Sequence, residues 1–327
     1  EMSYTLVTES SDEIYVRYKS SPSLAEFRSV IRRESPVKLD WGAVYPCAPV
    51  DRSSIGDAFK PIAREVVFDI DMSDYNAFRF CCTDAKICSK CWGLAALAVE
   101  VLDERLRVDF GFKHVLWVYS GRRGVHAWIA DKSARELTQQ QRSSIVHYLQ
   151  LNRVAIDGSS GGRLMRVSLP GKHLHPVVAK MYKQCRKFFL KYLEDQEILE
   201  RDDLTKMLVT MVDEPRLRRS LAAEIVTMRA KHVPVRAMWE RIEKHLSSGV
   251  AKAGAGKEMQ QVHPAEEIVL SYVFPVLDAN VTTGVNHLLK SPFSLHPKTG
   301  RICVPIDAKR PFAFDPFSVP TAATLAE

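Results

Sequence analysis

Two aspartates separated by one residue, Asp69 and Asp71, stand at the end of the apolar run in EVVFDIDMSD. Alternation along a strand turns both carboxylates to one face, with their Cα atoms about 6.5–7 Å apart. At that spacing both can reach one divalent ion or straddle a pair of ions. Without a cation the two acids would repel each other, and burial would raise their pKa values. The alternative is an exposed strand end with solvated acids.

A third acid, Asp278, follows the apolar run IVLSYVFPVL, and we predict a core strand over residues 268–281. An acid at the end of a second buried strand would complete a metal-binding set with Asp69 and Asp71. Taken alone, Asp278 is also consistent with a simple turn residue.

The segment SGRRGVH places Arg122 and Arg123 on a short link between two predicted strands, HVLWVYS and VHAWIA. The glycines on either side of the arginines permit a tight turn and close approach of a ligand. Guanidinium groups suit bidentate contacts with phosphate, and His126 could hydrogen-bond a phosphate oxygen. The alternative is an exposed turn with two solvated arginines.

A second basic stretch, NHLLKSPFSLHPKTGR, carries Lys290 and His296 in a loop bounded by prolines. Along the chain it follows Asp278. Carboxylates for a metal and cations for phosphates form the usual division of roles in phosphoryl transfer.

Four of the seven cysteines fall within the eleven residues CCTDAKICSKC, namely Cys81, Cys82, Cys88 and Cys91. A Cys-x-x-Cys pair is a familiar half-site for zinc, and four thiolates would close a tetrahedral structural site. Four reduced, buried cysteines are one alternative. A redox Cys-x-x-Cys is another, but it lacks the usual βαβ setting. The odd count and the absence of a secretory signal argue against a disulfide framework and indicate a reducing, intracellular compartment.

The elements that must position these residues are of two kinds. DEIYVRY and VVFDIDM have the pattern of strands, as does ICVPID at residues 302–307, and residues 92–108 have helical spacing. Thr138 and Gln141 resemble a capping box ahead of the helix RSSIVHYLQL. From about 175 to 262 the chain is predicted to be helical, with SSGVAKAGAGKEM as a flexible link.

The chain of 327 residues carries 46 Lys and Arg against 39 acids, a formal charge of +7. This excess favours polyanionic partners such as nucleic acid or nucleotides. No run of 18 apolar residues suggests a membrane span.

Several motifs taken together resemble the catalytic small subunit of eukaryotic DNA primase, in the archaeo-eukaryotic primase superfamily. They are FDIDMSDY, the cysteine cluster ending in CWGLA, DFGFKHVLWVYSGRRGVHAWI and NHLLKSPFSLHPKTGRICVPID. The resemblance covers most of residues 12–172 and 265–320. It implies an α/β (α+β) catalytic core with a mixed sheet at 1–172 and 265–327, a zinc motif at 79–92, and a helical insertion subdomain at 173–264. It also implies segments before and after this sequence.

The resemblance assigns a role to each candidate residue. Asp69, Asp71 and Asp278 would bind two catalytic Mg²⁺ or Mn²⁺ ions, the cysteine cluster would hold a structural Zn²⁺, and Asp40 would lie near the ribose 2′-hydroxyl. The nucleotide-binding set that it implies is Arg17, Asp40, Ser120, Gly121, Arg122, Arg123, Gly124, His126, His287, Lys290 and His296.

The function implied is that of a nucleotidyltransferase that makes short RNA primers on a template during DNA replication. Implied partners are a single-stranded DNA template, ribonucleoside triphosphates, a large primase subunit and, through it, DNA polymerase alpha, in the nucleus and without a membrane. A two-metal nuclease and a non-catalytic nucleic-acid-binding subunit are the alternatives. The sequence does not specify template preference, start site, primer length or the choice between NTP and dNTP.

Overall fold

The computed structural model of the protein describes residues 1–8, 10–157, 163–253 and 261–326. The chain divides into two compact units. Unit 1 comprises Glu1–Asp74, Leu102–Leu149 and Val276–Glu327, and unit 2 comprises Tyr75–Val101 and Gln150–Pro275. Across the described ranges, no helix combines the length and the hydropathy that crossing a bilayer needs.

The strands are β1 (Met2–Val7), β2 (Glu13–Lys19), β3 (Lys38–Trp41), β4 (Val66–Asp71), β5 (Val115–Tyr119), β6 (Gly124–Ile129), β7 (Arg153–Asp157), β8 (Arg163–Val167), β9 (Leu289–Lys290) and β10 (Pro305–Ile306). The helices are α1 (Leu24–Glu34), α2 (Arg52–Ile55), α3 (Ser89–Val108), α4 (Lys132–Arg135), α5 (Gln139–Leu149), α6 (Pro176–Asp195), α7 (Asp202–Thr210), α8 (Pro215–Ala230), α9 (Val235–Ala253), α10 (Pro264–Val273), α11 (Ala279–Thr283) and α12 (Ala322–Ala326). Short 3₁₀ turns lie at Pro49–Asp51, Gly56–Ala58, Met72–Tyr75 and Pro311–Ala313.

Unit 1 contains two four-stranded sheets, with strand orders β2-β1-β3-β9 and β10-β5-β6-β4. The predicted α+β fold is confirmed. We expected a mixed sheet, whereas the strand pairings in the described ranges are antiparallel. The strands predicted in DEIYVRY, VVFDIDM, HVLWVYS and VHAWIA correspond to β2, β4, β5 and β6.

Strand β4 is built from residues that suit a buried sheet position. Val66, Val67 and Phe68 are at most 1% exposed, as expected of β-branched and aromatic side chains in a core strand. The buried guanidinium of Arg142 on α5 donates to the carbonyls of Arg64 and Glu65, just before the strand begins. The predicted capping box holds that helix in place, because Thr138 and Gln141 exchange the two expected hydrogen bonds.

Unit 2 consists of helices α6 to α10, the β7–β8 hairpin and the first part of α3. Its core contains the aromatic side chains of Phe189, Tyr192, Trp239 and Tyr272, all fully buried. The helical prediction for residues 175–262 is confirmed where the chain is described. The flexible link predicted at 247–259 is wrong in its first part, because α9 continues to Ala253; residues 254–260 lie outside the described ranges.

The strand predicted over residues 268–281 is wrong. The apolar run forms the buried end of helix α10, and every residue of Ile268–Val273 is buried. A helix surrounded by core on all sides shows no amphipathic period, so a short apolar run cannot be distinguished from a buried strand. Asp278 therefore follows a helix and an extended segment rather than a strand.

The strand predicted over ICVPID is confirmed only in part. Strand β10 contains Pro305 and Ile306 alone, while Arg301 and Ile302 form isolated bridges. Proline lacks an N–H group, which limits the ladder at this edge of the sheet.

Candidate active site

Three acidic residues lie near one another at one end of β4. Asp69 and Asp71 alternate with the buried Ile70 and share a face of the sheet. Asp278 joins them because its backbone N–H donates to the carbonyl of Asp69 at 3.2 Å. This contact covers the edge of β4, which pairs with β6 on its other side. The side chain of Asp278 caps α11 by accepting from the N–H of Asn280.

Burial and the proximity of the other acids disfavour the ionised form of Asp69. Burial, followed by the charges of Asp71 and Asp278, raises the pKa of Asp69 to about 7. His126 lies directly opposite on β6, and its Nε2 is 3.5 Å from a carboxylate oxygen of Asp69. Burial and the nearby Lys290 lower the pKa of His126 to about 3. The contact between Asp69 and His126 is therefore not an ion pair near neutral pH.

Asp71 is engaged differently. Both of its carboxylate oxygens accept from Nε of Arg123, at 2.6 and 2.8 Å. One of them also accepts from the backbone N–H and the hydroxyl of Ser73, each at 2.8 Å. Oδ1 accepts three of these hydrogen bonds and Oδ2 accepts one, so Oδ2 keeps a lone pair with which Asp71 can bind a cation. Arg123 is therefore held at the acidic cluster by its ion pair with Asp71.

A fourth acid, Asp74, belongs to the same electrostatic cluster and is missing from the sequence prediction. Burial and the charges of Asp71, Asp69 and Asp278 raise the pKa of Asp74 to about 6. The signal was available, since Asp74 stands three residues after Asp71 in DIDMSD. A 3₁₀ turn over Met72–Tyr75 folds it back towards the pair.

Whether these acids can bind a divalent ion depends on the chemistry of their ligand atoms and on the distances between those atoms. Carboxylate oxygens are the ligands that Mg²⁺ and Mn²⁺ prefer. Burial and the mutual repulsion of the acids raise the pKa values of Asp69 and Asp74, although Lys290 and Arg123 act in the opposite direction, and a divalent cation would further stabilise the carboxylates. The donor atoms of Asp69, Asp71 and Asp278 do not all lie within 4.8 Å of one another. The carboxylates are suitable ligands for Mg²⁺ or Mn²⁺. In this structure Asp71 accepts hydrogen bonds from Arg123, and Asp278 accepts one from the backbone of Asn280.

The link SGRRGVH forms a tight hairpin turn. Ser120 donates its N–H to the carbonyl of Gly124, whose own N–H donates to the Ser120 hydroxyl at 3.0 Å. Gly121 has φ +85°, and a Cβ there would lie 2.6 Å from the Cβ of His296. The hydroxyl of Thr299 donates to the carbonyl of Gly121 at 2.6 Å. The turn is thus packed against the loop that carries His296. At the other glycine of the link, Gly124, a Cβ would meet the backbone of β4.

Several cationic groups converge beside this turn. Lys290 is half-buried and donates from Nζ to the carbonyl of Ser120 at 3.1 Å. Burial lowers the pKa of Lys290. Burial, Lys290 and Arg122 together lower the pKa of His296 to about 4. His296 is therefore neutral near pH 7, and a bound anion would offset the charges of Lys290 and Arg122 that disfavour its protonation.

The remaining predicted nucleotide-binding residues line the neighbouring sheet. Asp40 on β3 pairs directly with Lys290 on β9, is 3% exposed, and forms an ion pair with Lys38. Arg17 donates to the carbonyl of Asn286 at 2.9 Å. Burial and Arg64 lower the pKa of the adjacent His287, against the opposing charges of Asp278 and Asp69. Unit 1 thus contains all three predicted acids and the whole nucleotide-binding set.

The cysteine cluster lies in unit 2 and fits a structural zinc ion. The Sγ atoms of Cys81, Cys82, Cys88 and Cys91 all lie within 4.8 Å of one another. The Cys88 sulfur is 3.5 Å from that of Cys81 and 3.9 Å from that of Cys91. Tetrahedral Zn²⁺ with bonds of about 2.3 Å would separate sulfurs by about 3.8 Å. These separations are far longer than a disulfide, and the thiols are free.

A cavity of about 780 Å³ also lies in unit 1, with Trp41, Leu116 and Trp128 in its lining. Trp128 shares a sheet face with His126, two residues away on β6. The residues that line the cavity include none of the predicted site residues. It is therefore separate from the acids and the cationic turn.

Carboxylates with cationic side chains nearby, here Arg123 and Lys290, are the groups used in metal-dependent phosphoryl transfer. Comparison with known proteins identifies the family. The model of the DNA primase small subunit family matches residues 68–308. The chain belongs to the DNA primase small subunit family.

Individual relatives agree with the family match. The DNA primase small subunit of Drosophila melanogaster is 37% identical over 326 residues, which cover 99% of this chain and 73% of the relative. That of Schizosaccharomyces pombe is 36% identical, covering 100% of this chain and 70% of the relative. The archaeal DNA primase small subunit PriS of Methanothermobacter thermautotrophicus is 26% identical, covering 77% of this chain and 68% of the relative.

Proposed function

We propose that this protein is the catalytic subunit of a DNA primase, which joins ribonucleoside triphosphates into short RNA primers on a single-stranded DNA template. The observation that carries the proposal is the meeting of Asp69, Asp71 and Asp278 with the cationic SGRRGVH turn in one unit. Membership of the family supports the same conclusion.

The acids would hold two Mg²⁺ or Mn²⁺ ions. When bound, such ions lower the pKa of the attacking 3′-hydroxyl and neutralise charge on the triphosphate. Asp69 has to lose its proton before it can act as a ligand, because its pKa lies near 7. Asp71 would bind while still accepting from Ser73, which fixes its orientation.

The cations would bind the triphosphate. Arg122 and Lys290 keep His296 neutral in the free protein, and an anion bound beside them would offset their charges and favour protonation of His296. His126 is neutral and buried, and it would donate a hydrogen bond to a phosphate oxygen or gain a proton as the anion arrives. Asp40 would accept from the ribose 2′-hydroxyl, at the side where Arg17 and His287 lie.

The wider assignments follow from the same proposal. Zn²⁺ on the four cysteines would be structural, since four thiolates leave no open coordination position. The partners would be the template strand, a large primase subunit and, through that subunit, DNA polymerase alpha, with the complex acting in the nucleus. The division into a catalytic domain and a helical insertion at residues 173–264 stays a prediction.

The test is incubation with single-stranded DNA, labelled NTPs and Mg²⁺ or Mn²⁺, followed by separation of products by length. A primase yields labelled oligoribonucleotides only when template and NTPs are both present. Shortened DNA without any new RNA would instead support a two-metal nuclease. Binding of DNA without either product would support a non-catalytic subunit.

A further inference from the structure

Strand β2 departs from regular pairing at Arg17 and Tyr18. Met2 of β1 pairs with Lys19 and Tyr4 pairs with Val16, so two residues of β2 face Ser3 alone. This is a β-bulge, and Tyr18 adopts φ +60°, a conformation that is costly for a residue with a side chain. Bulges of this kind re-aim side chains beside functional sites.

The bulge places two guanidinium groups against one aromatic ring. The central carbon of Arg17 lies 4.9 Å from the Tyr18 ring centroid, and that of Arg52 lies 4.8 Å from it. The two carbons are therefore no more than about 9.7 Å apart. Phe59 packs edge-on against the same ring, and Tyr45 stacks on Phe59 at 4.2 Å. The tyrosine thus has a fixed support.

Arg52 differs from Arg17 in its partners. Arg17 is paired with Glu1 and reaches the carbonyl of Asn286, next to the predicted nucleotide-binding residue His287. Arg52 is exposed and forms no ion pair with a described carboxylate; its hydrogen bond to the carbonyl of Pro49 is long, at 3.4 Å. An exposed guanidinium fixed over a ring retains donors for an external phosphate.

We propose that Arg52, held over Tyr18, binds a backbone phosphate of the polynucleotide strand that runs past the nucleotide site. This inference rests on the proposed primase function, which requires a strand as well as an incoming nucleotide. Arg122 and Lys290 already supply cations for a triphosphate and His296 a hydrogen-bonding group, which leaves Arg52 for the strand. Arginines beside aromatic rings are typical of surfaces that bind single strands.

The test is fluorescence anisotropy with a labelled oligo(dT) strand at several salt concentrations. Arg52→Ala should weaken strand binding about 5- to 20-fold and reduce the salt slope by about 0.7. The KM for NTP should stay within about twofold of the unaltered protein, because the triphosphate contacts remain. Arg28→Ala is the matched control, since Arg28 is an exposed arginine of unit 1 that forms no ion pair with a described acid. That control should change strand affinity by less than about twofold.

Two further variants distinguish the contribution of the positive charge of Arg52 from that of its planar head group and its contact with the Tyr18 ring. Arg52→Lys should keep the salt slope while recovering only part of the affinity, because an ammonium lacks the planar fork. Tyr18→Leu keeps all charges and should still weaken strand binding about threefold or more. Unchanged thermal melting would exclude misfolding as the cause.

Two results would overturn the inference. One is unchanged strand affinity in Arg52→Ala; the other is a raised KM for NTP with strand affinity intact. Failure of the unaltered protein to make primers would overturn the proposed function instead. Loss of oligo(dT) binding in Arg52→Ala would still support the phosphate contact in that case.

Discussion

At the scale of single residues, the environment of Asp69 disfavours the ionised form of its carboxyl group. Its carboxylate shares a half-buried strand end with two other acids, and its pKa is raised to about 7. In the unfolded chain the carboxyl group of Asp69 has its ordinary pKa, near 3.8. The folded protein therefore holds an extra proton between these values, and its free energy of unfolding falls as pH rises through that window.

This protonation predicts a pH-dependent response to metal. A divalent ion must displace the proton of Asp69, so stabilisation by Mn²⁺ should be larger at about pH 8 than at about pH 6. The measurement is the shift in melting temperature on adding Mn²⁺ at each pH. Asp69→Asn has no proton to displace and should show a small shift at both values. Equal Mn²⁺ shifts at both pH values in the unaltered protein would contradict the assignment.

Arg123 is the second residue with an experimentally separable role. It now donates to Asp71, and with a nucleotide present it would lie between that acid and the phosphates. Arg123→Ala should raise the KM for NTP about 10- to 100-fold, with a smaller effect on kcat. Steady-state primer synthesis measures both. Arg310→Ala, which removes an exposed surface pair with Asp307, serves as the control. A KM equal to that of the control would argue against a phosphate contact.

At the scale of elements, the site depends on a turn that only glycine allows. Gly121 combines a positive φ with close packing against His296. Gly111 also has a positive φ, +71°, but a Cβ there would meet nothing within 4 Å. Alanine at Gly111 would introduce backbone strain alone, whereas alanine at Gly121 would introduce both backbone strain and a clash with His296.

Gly121→Ala should destabilise the fold by about 1–3 kcal/mol and weaken nucleotide binding at least tenfold, because the loop of His296 must move. Gly111→Ala should cost about 1 kcal/mol of stability and leave nucleotide affinity unchanged. Urea unfolding and nucleotide titration check the two effects. Similar nucleotide affinities in the two variants would show that the contact with His296 is unimportant.

The sequence predicts the parts of the site whose geometry is determined by a single strand or turn. Strand alternation around Asp69 and Asp71, and the hairpin around Arg122, could be predicted because each depends on neighbours in the chain. The environment of Asp278 could not, because a helix buried on all sides has the same apolar run as a core strand. Its place beside Asp69 depends on a backbone hydrogen bond between distant segments. Asp74 was overlooked although its spacing was visible.

At the scale of the whole molecule, the described residues place a candidate metal centre in each unit. Unit 1 holds the acids and unit 2 holds the cysteines. The chemistry of the two sets differs, since carboxylates suit Mg²⁺ or Mn²⁺ and thiolates suit Zn²⁺. Their loss should therefore have different consequences.

The cysteine cluster should act on stability. The purified protein should contain about one zinc ion per chain by elemental analysis. Cys88→Ser should lose the metal and melt at least about 5 °C lower, because binding energy contributes to folding. Cys47→Ser, outside the cluster, should keep both zinc and melting temperature. Full zinc content in Cys88→Ser would contradict the four-cysteine assignment.

The central claim is that Asp69, Asp71 and Asp278 form one nucleotidyl-transfer site, and single-turnover nucleotide addition to a primer on a DNA template tests it most directly. Asp278→Asn keeps the size of the side chain and its acceptor for the Asn280 N–H, yet removes one charge. Addition should fall about 10³-fold or more, while Asp57→Asn, at an exposed acid of the same unit, should match the unaltered protein. If Asp278→Asn added nucleotides within about tenfold of the unaltered rate, the account of this site would be wrong.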